Sequence, residues 1–476
     1  MAYEFPFIDR LENLPRNLIF NPNLTGGKSA LVLSPGLEKL ADTGTLEVAG
    51  TVAEIRGMAN MNDTVYIVAV DKLFKMNSSN TLTEITTSTT RLLTKTGAVT
   101  MEYNDASAAR QLVICDGTYS YSYSETKNVL TKLSGDTHNF PGGESVAYLN
   151  GRWLFNLPDT NRFTWSSLND SLTYDSTDYI GVSEPAGDIL RLFTFNDQLV
   201  VFKKNGIIFY DNFISGGNPY THRNGADMTV GLKGRNAVTE INSTIYWLGD
   251  DLNVYRANGY NPVVVSHYQL STKFESYTVT DDAIAFGYII DGLPYVVFTF
   301  PTEGKTWIYD PATMHWSERS SYRDDAFYDG IFRGNCYVKF GERHLIGDYR
   351  NGVVYEMKDT IYEDNGQPIK WKNICPAWDN NREFMNISEL EVVCTQGTAT
   401  LSGDGSAPTI ILRYSKDNGN TWSMELWRAL GETGEYGNRL RWLRLGSARK
   451  WYVELSGNAP IKWIITDVYV HPPERR

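Results

Sequence analysis

Short apolar runs separated by small polar turns recur along the first three-quarters of the chain. Compare "NMNDTVYIVAVDKLFKMN", "YNDASAARQLVICDGTYSYSY", "YLNGRWLFNLPDTNRFTWSS", "TFNDQLVVFKKNGIIFYDN", "EINSTIYWLGDDLNVYRAN", "IIDGLPYVVFTFPTEGKTWIYD" and "IFRGNCYVKFGERHLIGDYRNGVVYEM". Each reads as strand, Asn/Asp/Gly turn, strand with alternating apolar residues, second turn and further strand. Anchored on the first turn, the repeats fall at Asn62, Asn104, Asn150, Asn196, Asn242, Asp291 and Gly334, spaced 42, 46, 46, 46, 49 and 43 residues apart. In "STIYWLGDDLNVYR" the period-2 pattern assigns Ile245, Trp247 and Val254 to an inward face.

The period has a physical meaning. An antiparallel sheet of three or four strands of about 5–6 residues, with its turns, uses roughly 40–50 residues. Such a sheet cannot bury its apolar face alone, but sheets stacked radially can, which is a β-propeller. Six or seven blades are expected. "WIYDPATMHWSER", Trp307 to Arg319, fits a blade hairpin, with Pro311 fixing φ and Asp310 bonding back to the turn. Its chemical alternative is an acid–base pair between Asp310 and His315.

The repeat ends after "YRNGVVYEMKDTIYEDNGQPIKWKNICPAW". Strand-like runs then follow at 387–394, 409–414, 422–427, 439–445, 451–456 and 461–470, a β-sandwich-like pattern. The fold expected is all-β: an irregular six- or seven-bladed propeller followed by a C-terminal β-sandwich-like domain. The expected units are 1–50, an arm completing the propeller or platform; 51–374, the propeller; and 375–476, the sandwich. "SKDNGNTW" in the last unit fits S-x-D-x-G-x-x-W, the Asp box of sialidases. Ser415 and Asp417 can bond turn amides, Gly419 can take positive φ and Trp422 can cover the hairpin. The motif carries no catalytic group and occurs once, outside the repeats, so a structural turn is expected rather than a sugar site.

Composition sharpens this. Aromatics make up 13%, with 29 Tyr, 12 Trp and 40 Gly, which suits strands and tight turns. The formal charge is −12. Residues from Cys375 onward balance, twelve Lys/Arg against twelve Asp/Glu, so the acidic excess lies in 1–374. An acidic surface repels phosphates and argues against a protein that grips DNA, though not against one that DNA slides past. Cys115, Cys336, Cys375 and Cys394 are widely spaced and read as reduced, buried thiols. No secretory signal and no membrane-spanning helix is expected.

Other chemical patterns are weak. "TGGKS", Thr25–Ser29, lacks the upstream Gly of a phosphate loop, where Pro22 stands instead. Asp250–Asp251, Asp281–Asp282 and Asp324–Asp325 are doublets whose members point to opposite strand faces. No calcium loop and no metal spacing among the six His is visible. We therefore expect no catalytic residue, metal or cofactor. One dense basic run stands out, "NRLRWLRLGSARKWYVEL", with Arg439, Arg441, Arg444, Arg449 and Lys450 among Trp442 and Trp451. Nucleic-acid binding and a solvated face are alternatives, but pairing with acidic groups of a neighbouring subunit is favoured.

Three stretches resemble a known family. They are the opening "ENLPRNLIFNPNLTGGKSALVLSPGLEKLAD", the junction "GDYRNGVVYEMKDTIYEDNGQPIKW" and the end "NRLRWLRLGSARKWYVELSGNAPIKWIITDVYV". In this order they resemble the tail hub, or nozzle, proteins of short-tailed bacteriophages, also called packaged-DNA stabilisation proteins. The resemblance implies a structural virion protein, not an enzyme, in the tail. It implies a homohexameric ring below the head-to-tail adaptor and portal, assembled in the host cytoplasm. The ring would continue the DNA channel without binding DNA specifically, retain the packaged genome, and dock tail fibres or spikes and a needle or plug. The alternatives are a receptor-binding or glycan-processing tail protein and a cellular propeller scaffold.

Overall fold

A computed structural model describes residues 14–22, 30–44, 52–87, 90–104, 106, 109–213, 218–323, 327–379, 381 and 383–471. Seven sheets, antiparallel but for one short parallel pairing in the last, succeed one another among them, each four strands or more. Their first strands are Ile55–Met61, Thr100–Tyr103, Val146–Leu149, Ile189–Phe195, Val238–Ile241, Ile284–Ile290 and Gly334–Phe340. These ring a common axis. Thr100–Tyr103 touches Ile55–Met61 and Val146–Leu149, and Gly334–Phe340 returns to touch Ile55–Met61, which closes the circle. The fold is a seven-bladed propeller.

The turns explain why the repeats were visible. Asn62–Asp63, Asn150–Gly151, Asn196–Asp197, Asn242–Ser243 and Asp291–Gly292 all have positive φ at both positions. That is the conformation whose twist matches a β-hairpin, and Asn, Asp and Gly adopt it most readily. The seventh anchor is corrected. Gly334 begins the first strand of blade 7, and the equivalent turn is at Gly341, φ 60°, with Phe340 paired to Arg343. In blade 2 a longer loop replaces the two-residue turn, and the Asn104 side chain accepts from the Gln111 amide at 2.7 Å.

The strands are buried on both faces, which revises the inward-face reading. In Thr64–Ala69, Val65, Ile67 and Ala69 join a core shared with blade 7, whereas Tyr66 and Val68 join one shared with blade 2. Alternation therefore sorts side chains between two neighbouring blades rather than between core and solvent. Tyr246 and Leu248 are accordingly as buried as Ile245 and Trp247. The seams between blades are filled by hydrophobic cores, one of which runs continuously through blades 4, 5 and 6, and every fully buried Leu, Ile or Phe in them contributes about 1.5–3 kcal/mol.

The chain's first described strands do two jobs. Leu18–Asn21 and Ala30–Leu33 form a hairpin that joins Ile464–His471, Met385–Cys394 and Leu440–Ala448 in one sheet of the C-terminal sandwich. Gly36–Asp42 then pairs antiparallel with Val353–Lys358 and completes the last blade. The opposing sandwich sheet holds Trp371–Ile374, Lys450–Gly457, Thr409–Ser415 and Leu426–Ala429. Trp371–Ile374 thus belongs to the sandwich, although it lies before residue 375. Leu18, Leu31, Trp371, Trp442, Trp451 and Trp463 fill the space between the sheets.

A buried polar node ties arm, propeller and sandwich together. Arg319 Nη2 lies 2.8 Å from Asp364 Oδ1, with both side chains 2% exposed. The same guanidinium donates to Asn17 Oδ1 at 3.0 Å and to the carbonyl of Pro35 at 3.1 Å. Ser321 Oγ donates to Asp364 Oδ2 at 2.7 Å. Asn17 Nδ2 donates to the carbonyl of Lys370 at 2.7 Å and to Ser320 Oγ at 3.0 Å. Its buried charges and amide are all partnered, the condition under which such a network fixes one geometry.

Candidate interaction surfaces

The Asp-box turn leaves strand Thr409–Ser415, whose partner strand, Leu426–Ala429, starts four residues later than expected. Asn418 and Gly419 take φ 63° and 84°. Asp417 Oδ1 accepts from the Thr421 amide at 2.9 Å and from Ser415 Oγ at 2.7 Å, and Oδ2 accepts from the Thr421 hydroxyl at 2.6 Å. The Gly419 amide donates to Ser415 Oγ at 2.9 Å. The Thr421 hydroxyl and amide hold the Asp417 carboxyl down to about 2. Trp422 lies under the Arg413 guanidinium, 5.6 Å from its ring centroid. The motif's polar atoms are thus spent on the turn itself.

The basic run sits on Leu440–Ala448, the edge strand of its sheet, and on the next strand, Lys450–Gly457. Arg439 makes a two-pronged contact with Glu391, with Nε at 2.8 Å, and Arg441 lies 3.6 Å from Glu389. Both acids are on the adjacent strand Met385–Cys394. Arg439 and Arg441 are therefore already neutralised within their own sheet. Arg444 is exposed at φ 59°, and Arg449 stacks on Phe384 at 4.9 Å. Lys450 lies 5.2 Å from the Tyr452 ring, and Leu443 is exposed on the same edge. Glu389, Glu391 and His471 can bring ligand atoms within 4.8 Å of one another. Arg439 and Arg441 occupy those carboxylates, so the cluster is an ion-pair lattice.

The remaining sequence candidates fall into turns. Asp310 Oδ1 accepts from the Ala312 amide at 2.8 Å and Oδ2 from Thr313 Oγ1 at 2.6 Å. His315 packs on Phe20 with ring centroids 4.2 Å apart, and burial pushes its pKa down. Asp310 and His315 are backbone register partners without a side-chain bond between them. Asp251 accepts from Tyr255 OH at 2.6 Å, Asp250 from the Gly231 amide at 2.8 Å and Asp282 from the Thr302 amide at 2.8 Å. Asp324–Asp325 and the "TGGKS" segment lie outside the described residues. The four cysteines are free thiols, and burial pushes Cys115, Cys375 and Cys394 each up to about 12.

Charges near the propeller axis were not anticipated. On the first strand of blade 2, burial pushes the Glu102 carboxyl up to about 7, with the Arg191 charge opposing. Burial lowers Arg191 to about 10, and its Nη1 donates to Asn236 Oδ1 at 3.2 Å. Arg235 pairs with Glu144 at 2.8 Å. Two acids from the blade 2 and 3 region thus offset two bases from the blade 4 and 5 region.

A family model described as bacteriophage P22 Gp10, β-propeller, matches residues 4–362. A second, described as bacteriophage P22 Gp10, β-sandwich, matches residues 370–453. No curated protein matches. Among solved structures, the extracellular domain of a putative hybrid two-component system from B. thetaiotaomicron aligns at 8% identity and TM-score 0.46. The alignment covers 74% of this chain and 44% of that one, so the chain spans under half of that protein's length. BamB from Moraxella catarrhalis aligns at 11% identity and TM-score 0.39, covering 75% and 98%. The AfRom2 CNH domain aligns at 8% identity and TM-score 0.41, covering 68% and 99%.

Proposed function

This chain belongs to the bacteriophage P22 Gp10 family and is a structural phage tail protein of the nozzle and DNA-stabilisation type; from that premise we propose that it forms a ring below the head-to-tail adaptor, a homohexamer whose lumen continues the DNA channel. The ring retains the packaged genome and docks fibres or spikes on its outside. It performs no catalysis, and it assembles in the host cytoplasm before taking its place in the virion tail.

The observation that carries this reading is the family match to both units of the chain. The physical features agree with it. A ring needs modules that hold their shape under load, and here both units are clamped by one N-terminal segment and one buried ionic node. A conduit should not hold DNA. Each Lys/Arg–phosphate contact adds a salt-sensitive attraction, and the acidic excess carried by residues 1–374 opposes it. The edge strand Leu440–Ala448, with exposed Leu443 and Arg444, together with Arg449 in the turn that follows it, is the proposed contact with a neighbouring subunit. Arg439 and Arg441 contribute to it only as parts of their own ion-pair lattice.

The purified chain, alone or mixed with its adaptor, is expected to yield ring-shaped particles of several copies. Negative-stain microscopy with light scattering checks this. Monomers in both preparations would overturn the ring.

A further inference from the structure

We propose that the sandwich edge farthest from the propeller docks, head to tail, on the acidic outer strand of blade 3 of the next copy. The inference rests on the ring reading above and names the two surfaces that close the ring. In one sandwich sheet the strand order runs from Leu18–Asn21, which touches His315–Arg323 of blade 6, across to Leu440–Ala448. In the other it runs from Trp371–Ile374, which also touches Leu18–Asn21, across to Leu426–Ala429. Both far edges therefore lie on the side away from the propeller. Blade 3 is as many blades from blade 6 as from blade 7, across the axis, and its last strand, Asp170–Gly181, is an edge strand.

The two sandwich edges form one surface. Trp442 Nε1 donates to the carbonyl of Leu426 at 2.9 Å, and Arg428 Nε donates to the carbonyl of Arg441 at 2.8 Å. Trp427 is 51% exposed and is the only exposed tryptophan among the described residues. Met424, Leu443, Arg428 and Arg444 are exposed as well, and Arg444 forms no ion pair among the described residues. A register shift between Ile387 and Glu389 marks a bulge opposite Arg444, whose φ is 59°. Bulges interrupt an edge ladder and re-aim a side chain. The contact is therefore made by side chains and not by an added strand.

Blade 3 offers the opposite charge. Asp175 is exposed and Asp178 half-buried on the outer strand. Asp175 Oδ1 accepts from the Thr177 amide at 2.9 Å and its hydroxyl at 2.7 Å. Burial and the Asp175 charge push the Asp178 carboxyl up, outweighing the nearby Arg152. A cation brought to this strand relieves that like-charge pair. Tyr179, exposed on the same strand under the Arg162 guanidinium at 4.8 Å, adds aromatic area. Trp, Met and Arg anchors facing a surface of complementary charge are the usual make-up of a protein contact. A contact between two unlike surfaces of identical copies does not stop at a pair; it repeats, and closes as a ring when the rotation fits. That favours a second copy of this chain as the occupant.

The test is sedimentation velocity and cross-linking of the full chain at fixed ionic strength, with its adaptor present. Arg444→Glu and Asp178→Lys should each weaken assembly at least about tenfold, and the double variant should recover most of the loss. Trp427→Ala should weaken it by a similar factor. Urea midpoints matching the wild type's show that the variants fold. Ser447→Cys mixed with Ser176→Cys and treated with a short bismaleimide should give cross-linked dimers that neither variant gives alone. Assembly at wild-type strength in both Arg444→Glu and Trp427→Ala, or no cross-link in the mixture, would overturn the contact and leave the ring reading standing. So would variant rings of full strength that no longer take up fibres, which would assign the edge to a fibre. A wild-type chain that stays monomeric with its adaptor would overturn the ring and the contact together.

Discussion

Arg319→Met is expected to lower the unfolding free energy by about 3–5 kcal/mol, the usual cost of stripping one partner from a buried ion pair. Asp364 would remain 2% exposed and charged, with the Ser321 hydroxyl as its remaining close donor. Asn17 and the carbonyl of Pro35 would lose their guanidinium donor too. The double variant Arg319→Met with Asp364→Leu should recover much of the loss, because no unpaired charge is left behind. Urea unfolding followed by tryptophan fluorescence checks both. A single variant as stable as wild type would mean that the node does not hold the two units in place.

Removing residues 1–44 is expected to abolish cooperative unfolding altogether. The deletion takes the hairpin Leu18–Asn21 and Ala30–Leu33 from one sandwich sheet and the strand Gly36–Asp42 from the last blade. Leu18, Leu31 and Leu37 are each at most 1% exposed. At about 1.5–3 kcal/mol for each such side chain, with two sheet edges opened besides, the loss rivals the roughly 5–15 kcal/mol by which domains are stable. It also leaves blade 7 with an unpaired edge facing solvent. Differential scanning calorimetry is the check. A truncated chain with a sharp transition near the wild-type temperature would contradict the staple role of the arm.

What could be read from the sequence was local. The blade repeat was legible because Asn62, Asn150, Asn196, Asn242 and Asp291 mark turns whose backbone few other residues adopt. Gly334 misled because it is the nearest glycine in register, whereas Gly341 carries the positive φ. The sandwich strands were legible from alternation, but the hairpin at their edge was not. Leu31 pairs with Ile465 from the far end of the chain, and nothing local encodes that. The Asp box was legible for the same reason as the blade turns, since Ser415, Asp417 and Thr421 satisfy one another within seven residues.

The interaction surfaces were only half legible. The basic run announced Arg439 and Arg441, but their partners Glu389 and Glu391 are set by the register between two strands. Arg319 and Asp364 are single residues on separate elements, and only the packing of blade 6 against the junction that follows blade 7 brings them together. The charges near the axis were not legible at all, because Glu102, Glu144, Arg191 and Arg235 lie on separate elements far apart in sequence.

The most direct test of the structural role is the DNA content of phage particles assembled without this chain, read by buoyant density. The account predicts particles that fill their heads and then lose the genome, so that they band as light, empty shells. Particles of full density that keep their DNA in the absence of the chain would contradict it.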